Sequence, residues 1–165
     1  GRVGYDPQSY DIVNSPVANT LMAALPKDLR QVMKSVTKFT DNVAGGTGDV
    51  AGNVSSSVDY LFRFAEKEIY GGSRTYANSY EGGYQEQYQY FKAGNNKQLY
   101  RHDNRGTAVW APLRSPRCNH YYDFSAVGAG AGGGVNNYNA NNCGGLFAGF
   151  YETTGSNGVT GPRPR

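Results

Sequence analysis

Tyr121, Tyr122 and Tyr138 stand among Asn119, Asn136, Asn137, Asn139, Asn141 and Asn142, and these residue types at this density are suited to binding. Tyrosine offers a large amphipathic contact area at low entropic cost. Asn, Ser and Gly offer adaptable hydrogen bonding, the palette of antibody paratopes. Arg117, His120 and Asp123 add charge and orientation, and Ser125, Gly128, Gly130, Cys118 and Cys143 complete a candidate ligand-binding set. His120 beside Asp123 and Cys118 also has the composition of a Cys/His nucleophile, but polar residues this close in such a tract more often coincide than cooperate. The spacings G-x-S-x-G, H-E-x-x-H and G-x-x-x-x-G-K-[ST] are absent. Gly130 to Gly134 resembles a phosphate-binding loop only in composition, with no strand-loop-helix frame and following acid. With two His and no CxxC pair, no metal site is expected. The expectation is a binding protein with no catalytic residue, no metal and no cofactor.

All of these residues fall between Arg117 and Cys143. Lys, Glu, Gln, Met and Trp are missing from those 27 positions, although 20 of the other 138 residues are of these types. They are the amino acids that no codon ending in C or T encodes. Every residue of the tract can be reached from an Asn codon by changing its adenines alone. A solvated, turn-rich Gly/Asn loop would share the composition. The cysteines at either end are open to two readings. A disulfide would need their Cα atoms within about 7 Å; alternatively, each is a separate outcome at a mutable codon.

The frame around the tract narrows the choice. It opens with Trp110 and Leu113-Arg114-Ser115-Pro116 and closes with Gly145-Leu146-Phe147-Ala148-Gly149-Phe150. Upstream lie LPKDLRQVMKSVTKFTDN (Leu25 to Asn42), DYLFRFAEKEIYG (Asp59 to Gly71) and QYQYFKAGN (Gln87 to Asn95). Together these segments resemble the variable proteins of diversity-generating retroelements, in a phage and gut-bacterial branch, over roughly Leu25 to Phe150. The chain departs from that pattern where Ala111-Pro112 separates Trp110 from the LRSP segment, and near Phe147, where relatives often carry Arg or a second Pro.

The resemblance implies a C-type-lectin-like fold related to the formylglycine-generating enzyme. It also implies a face of altered side chains written by a mutagenic reverse transcriptase. The sugar-binding calcium motifs EPN, QPD and WND of animal lectins are absent, so calcium-dependent sugar binding is not implied. The expected role is receptor recognition from a phage tail tip or a bacterial cell surface. The expected partner is a host-surface protein or glycan, with display as a homotrimer or within a larger fibre or surface protein. The alternatives are a structural phage or surface module with a flexible Gly/Asn-rich loop, and a degenerate relative of the formylglycine enzyme.

The elements that must position the tract are mixed. Ser15-Pro16 and Pro26 are expected to start helices, with Leu29, Val32 and Met33 on one apolar face. Val36 to Thr40 suggests a strand or turn. Residues 41–57 read as a surface excursion, Val58 to Phe64 as a strand with Tyr60, Phe62 and Phe64 on one face, and Gly71 to Gly83 as a loop. Tyr84 to Phe91 is expected to begin a short amphipathic helix. QLYRH, VWAPL, YYDFSAV and GLFAGFYE read as short strands. Early helices and short late antiparallel strands make the class α+β. Phe124, Val127, Ala140, Leu146 and Phe150 are expected anchors, with Trp110 and Arg114 holding the start of the tract, Arg114 through backbone carbonyls.

The expected organisation is an N-terminal lead-in over 1–24, a C-type-lectin-like variable domain over 25–151 and a polar tail over 152–165. The start at Gly1 and the polar end suggest a domain cut from a longer protein. A net charge of +3 with no basic run beyond a pair gives no support for nucleic acid as partner. No apolar stretch approaches the roughly 18 residues of a spanning helix, so membrane insertion is not expected.

Overall fold

A computed structural model of the chain describes residues 21–42, 47–72, 75–101, 103–139 and 145–152. The architecture is α+β, with short helices and antiparallel strands. The chain divides into two compact units. One comprises the described parts of Gly1–Lys38, Val58–Phe62 and Gly149–Arg165; the other comprises those of Phe39–Ser57 and Arg63–Ala148.

In the first unit, helix α1 (Leu21–Ala24) leads through Pro26 into α2 (Lys27–Val32). Pro26 suits the entry because its fixed φ is compatible with a helix start, and Asp28 sits in the first turn, where the helix dipole favours a negative charge. Of the expected apolar face only Met33 is buried; Leu29 is half-buried and Val32 exposed. Met33 has already left the helix, in strand β1 (Met33–Lys34), which pairs antiparallel with the chain's last described strand, Tyr151–Glu152. Lys38 Nζ lies 4.0 Å from the Phe62 ring centroid and 5.3 Å from that of Tyr151, a buried cation over two aromatic rings. The helix start expected at Ser15-Pro16 lies outside the described residues.

Strand β2 (Val36–Asp41) pairs with β3 (Val54–Asp59). The surface excursion is thus shorter than the sequence suggests. Val54 to Ser57 are already strand, recruited by backbone pairing despite the low β-propensity implied by so few large apolar side chains. The strand expected from Val58 to Phe64 is broken after Asp59 and resumes only as β4 (Phe62–Arg63).

The second unit holds the tract. Helix α3 (Glu66–Tyr70) is fixed at its start by Glu68, whose carboxylate reaches back to accept the Ala65 N–H at 2.9 Å. It ends at Gly71 with φ +65°, a conformation that favours glycine. The helix expected from Tyr84 begins only at α4 (Gln89–Lys92). Glu81–Tyr84 is a 3₁₀ turn, and Gln85 and Tyr88 have extended backbone angles. Tertiary bonds override the helical spacing there: Gln85 Nε2 donates to Phe39 O, and the Tyr88 N–H to Glu68 O at 3.0 Å. Phe64, Tyr88, Phe91 and Phe147 form an edge-to-face aromatic cluster, with Phe64 at the centre.

Strands β5 (Leu99–Tyr100) and β6 (Ala108–Val109) form a short antiparallel pair. A three-stranded antiparallel sheet then runs in the order β7 (Ala111–Pro116), β8 (Asp123–Val127), β9 (Val135–Asn139). The final strands are β10 (Ala148–Gly149) and β11 (Tyr151–Glu152). Strand β9 was not anticipated, because Asn depresses β-propensity; it forms through five consecutive pairs with β8. Val127 is fully buried, as expected of an anchor, while Phe124 and Phe150 are only half-buried. Leu146 is 43% exposed, and its neighbour Phe147 takes the packing role instead. Ala140 lies outside the described residues.

Candidate ligand-binding face

The face is built on the alternation of β8 and β9. Asp123, Ser125 and Val127 point to one side of the sheet and are buried. Phe124 and Ala126 point to the other, opposite Tyr138 and Asn136 in register. Tyr138 stacks on Trp110 with ring centroids 3.8 Å apart and planes within 2°. Asn136 is exposed on this outer side.

The inner side is anchored by buried carboxylates. Glu66 Oε2 accepts Ser125 Oγ at 2.5 Å and the backbone N–H groups of Tyr76 and Ala77 at 3.0 and 3.1 Å; Oε1 accepts Thr75 N–H. Ser115 Oγ accepts the Glu66 N–H at 3.0 Å and donates to Glu81. Glu81 also accepts the Asp41 N–H and Gln85 Nε2, and burial pushes its carboxyl above the ordinary carboxylate range. Arg114 donates to the Arg63 carbonyl at 2.8 Å, as its expected role requires. It also makes a two-pronged ion pair with Glu68, at 2.6 and 3.0 Å. The Glu66, Glu68 and Glu81 anchors were not singled out in the sequence, because the groups that pair with them are brought together only by the fold.

Two loops flank the sheet. The β7–β8 loop is closed by the Arg117 N–H donating to Asp123 O at 2.9 Å and tied down by the Cys118 N–H donating to Tyr76 O at 2.9 Å. Asp123, 4% exposed, is its hub. Its Oδ2 accepts Arg117 Nη1 at 3.2 Å and Asn137 Nδ2 at 3.0 Å. His120 Nδ1 is 2.9 Å from the same oxygen but off hydrogen-bond alignment, and Asp123 Oδ1 has no hydrogen bond among the described residues. Above this hub Tyr121 is 74% and Tyr122 42% exposed, their rings edge to face at 4.8 Å.

The β8–β9 loop is a built turn rather than a flat stretch of the face. The Gly128 N–H donates to Gly134 O at 2.8 Å, Tyr70 Oη to Gly133 O at 2.6 Å, and Gln98 Nε2 to the carbonyls of Ala129 and Gly130. Burial, with the Glu66 charge adding, raises the Tyr70 phenol so that it stays a donor. At Gly133 φ is +66°, and a Cβ would lie 2.7 Å from Gln98 N. A Cβ at Gly130 meets nothing within 4 Å.

The candidate residues therefore divide. Asn119, Tyr121, Tyr122, Gly130, Asn136 and Asn139 are exposed, and Arg117, His120, Asn137 and Tyr138 half-buried. Cys118, Asp123, Ser125 and Gly128 are buried, contrary to a role as surface contacts. Their strand phase and turn closure draw them inward; at Gly128 a Cβ would meet Gly134 O at 2.9 Å. Asn141, Asn142 and Cys143, and with Cys143 the disulfide question, lie outside the described residues. The two loops sit at opposite ends of β8, and on the outer side of the sheet between them Asn136 is exposed, Phe124 and Tyr138 are half-buried and Ala126 is fully buried.

Among the described residues no group of three or more His, Cys, Asp or Glu could hold a metal ion, and no helix is long and apolar enough to cross a membrane. Comparison with protein-family models, curated proteins and solved structures finds no match.

Proposed function

We propose that this chain is a hypervariable, non-enzymatic ligand-binding domain of C-type-lectin-like fold, diversified by a retroelement. On this reading it is displayed on a phage tail fibre or a bacterial surface and recognises a host-surface protein or glycan. The observation that carries the reading is the division within and around the tract. Tyr121, Tyr122, Asn119, Asn136 and Asn139 face solvent, whereas the framing Leu113 and Ser115 are fully buried and Arg114 is locked to Glu68. A fold that keeps its core outside the exposed positions tolerates their exchange, because surface substitutions usually change stability by no more than about 0.5 kcal/mol. Tyrosine and asparagine are also the side chains a general binding surface needs.

The test is deep sequencing of the coding region for residues 100–151 in a natural population. Substitutions confined to adenines between Arg117 and Cys143, with Leu113 to Pro116 and Leu146 to Phe150 constant, are expected. Uniform sequence, or variation spread over all bases, refutes the proposal.

A further inference from the structure

We infer that Arg117, His120 and Asp123 form one internal clamp, with Asp123 the positioning residue that presents Asn119, Tyr121 and Tyr122 as the contact residues of the β7–β8 loop. The inference rests on the binding reading above and assigns roles within its site. From residue type alone, Arg117, His120 and Asp123 look like the strongest ligand contacts in the tract. Their geometry points the other way.

Asp123 is buried at the first position of β8 and gathers Arg117 Nη1, Asn137 Nδ2 and the His120 ring around one oxygen. The remaining interactions of Arg117 are also made within the protein. Its Nε donates to Asn119 Oδ1 at 3.1 Å, and its guanidinium lies 5.5 Å from the Tyr76 ring centroid. The His120 ring packs against Tyr122 with centroids 4.2 Å apart at 65°. The Tyr121 and Tyr122 hydroxyls, by contrast, make no hydrogen bond among the described residues. One side of the loop is thus committed to the protein, and its tyrosine tips are left for a partner. Holding them in place before binding removes the ordering cost that a mobile loop would incur.

The clamp is testable without a ligand, by peptide-resolved amide hydrogen exchange. Asp123→Ala is expected to raise exchange of residues 117–122 on the order of tenfold or more, since hydrogen bonds to a charged group are the stronger class. Exchange in 66–70 and 111–115 should be unchanged. If Asp123→Ala does not fold, Arg117→Gln, at a side chain 29% exposed, carries the same test. Arg117→Gln should raise exchange locally in the native background and have a clearly smaller effect when Asp123 is already Asn, where only its contacts with Asn119 and Tyr76 remain to be lost. Tyr121→Ala should leave exchange in 117–122 as it was.

Unchanged exchange in Arg117→Gln overturns the clamp, as does an equal effect of that substitution in both backgrounds. A rise spread evenly over the chain would mean that Asp123 serves overall stability and does not position the loop. The population sequencing above tests the binding reading separately, so either idea can fail while the other stands.

Discussion

Glu66→Gln is the substitution on which the architecture of this face turns. The Glu66 side chain is 2% exposed, and every hydrogen bond its carboxylate makes is to a donor. Gln keeps the volume but turns one oxygen into an NH₂ group, which must face an N–H or O–H. The least costly placement puts the NH₂ at Oε1, losing the Thr75 bond and the 3.2 Å arm of the shared Tyr76 bond, and leaving the bonds from Tyr76, Ala77 and Ser125 to Oε2 with a neutral acceptor. Hydrogen bonds to charged groups contribute about 1.5–3 kcal/mol and neutral ones about 0.5–1.5. The loss is partly offset because a charge no longer has to be buried. The expected destabilisation is about 2–4 kcal/mol, a large share of the roughly 5–15 kcal/mol that holds a domain together. In urea at neutral pH this lowers the unfolding midpoint by on the order of 1–2 M. Ser125→Ala alone should cost about 1–2 kcal/mol, and less than half of that when Glu66 is already Gln, because the two share one bond. A Glu66→Gln protein within about 0.5 kcal/mol of the native chain would refute the anchoring role, and so would strictly additive effects.

Arg114→Lys keeps the charge but loses the two-pronged contact with Glu68; a loss of about 3 kcal/mol in chemical denaturation is expected, and a loss under about 1 kcal/mol would count against the pair as an anchor. The Glu81 carboxyl is raised by burial, so folding favours its protonated form: its stabilising contribution is full below its ordinary value of 4.5 and is lost as pH rises through the raised one. Glu81→Gln, which cannot titrate there, should therefore fall further behind the native chain as pH drops from about 7 toward 4.5, and a gap that stays constant in paired unfolding curves would contradict this. Gly133→Ala should cost about 2 kcal/mol or more, from positive φ and contact with the backbone at Gln98, while Gly130→Ala should stay within about 0.5; similar thermal shifts for the two would show that the turn is not built as described.

The parts of this fold that could be read from the sequence are those where local pattern and tertiary demand agree. Pro26 opens a helix because its φ suits one, and DFSAV is a strand because its residues fit a pleat. The strand at VNNYN could not be read the same way. Asn disfavours strands, and only pairing with β8, a non-local fact, recruits it. The glutamates were hidden for a related reason. Glu66 and Glu81 have no evident partners until the donors of Thr75 to Ala77, Ser115 and Ser125 are in place, and the two serines come from 34 and 59 residues away from the glutamates they bond. Site residues followed the same division. Residue type alone identified Tyr121 and Asn119 as exposed, but it could not separate Asp123 from Asn119. Position in the fold decides that: Asp123 is the first residue of β8, in phase with the buried Ser125 and Val127, while Asn119 lies in the exposed loop before it.

That phase also explains how one tract can carry both scaffold and surface. Inner positions of β8 are tied to Glu66 and packed shut; the outer side presents Asn136 and the Trp110-stacked Tyr138. A slip of β9 by one residue against β8 would turn Asn136 and Tyr138 to the side of Ser125 and Val127 and bring Val135 and Asn137 to the outer side. Five consecutive pairs prevent the slip from one side, and the Gly128–Gly134 turn, held from outside the tract by Tyr70 and Gln98, prevents it from the other. The restraints on register thus come from backbone pairing, glycine conformation and residues beyond the tract. None of them depends on the side chains at 119, 121, 122, 130, 136 or 139. A surface whose register is fixed independently of its exposed residues can change those residues without changing its shape, which is the physical requirement for a binding face meant to vary.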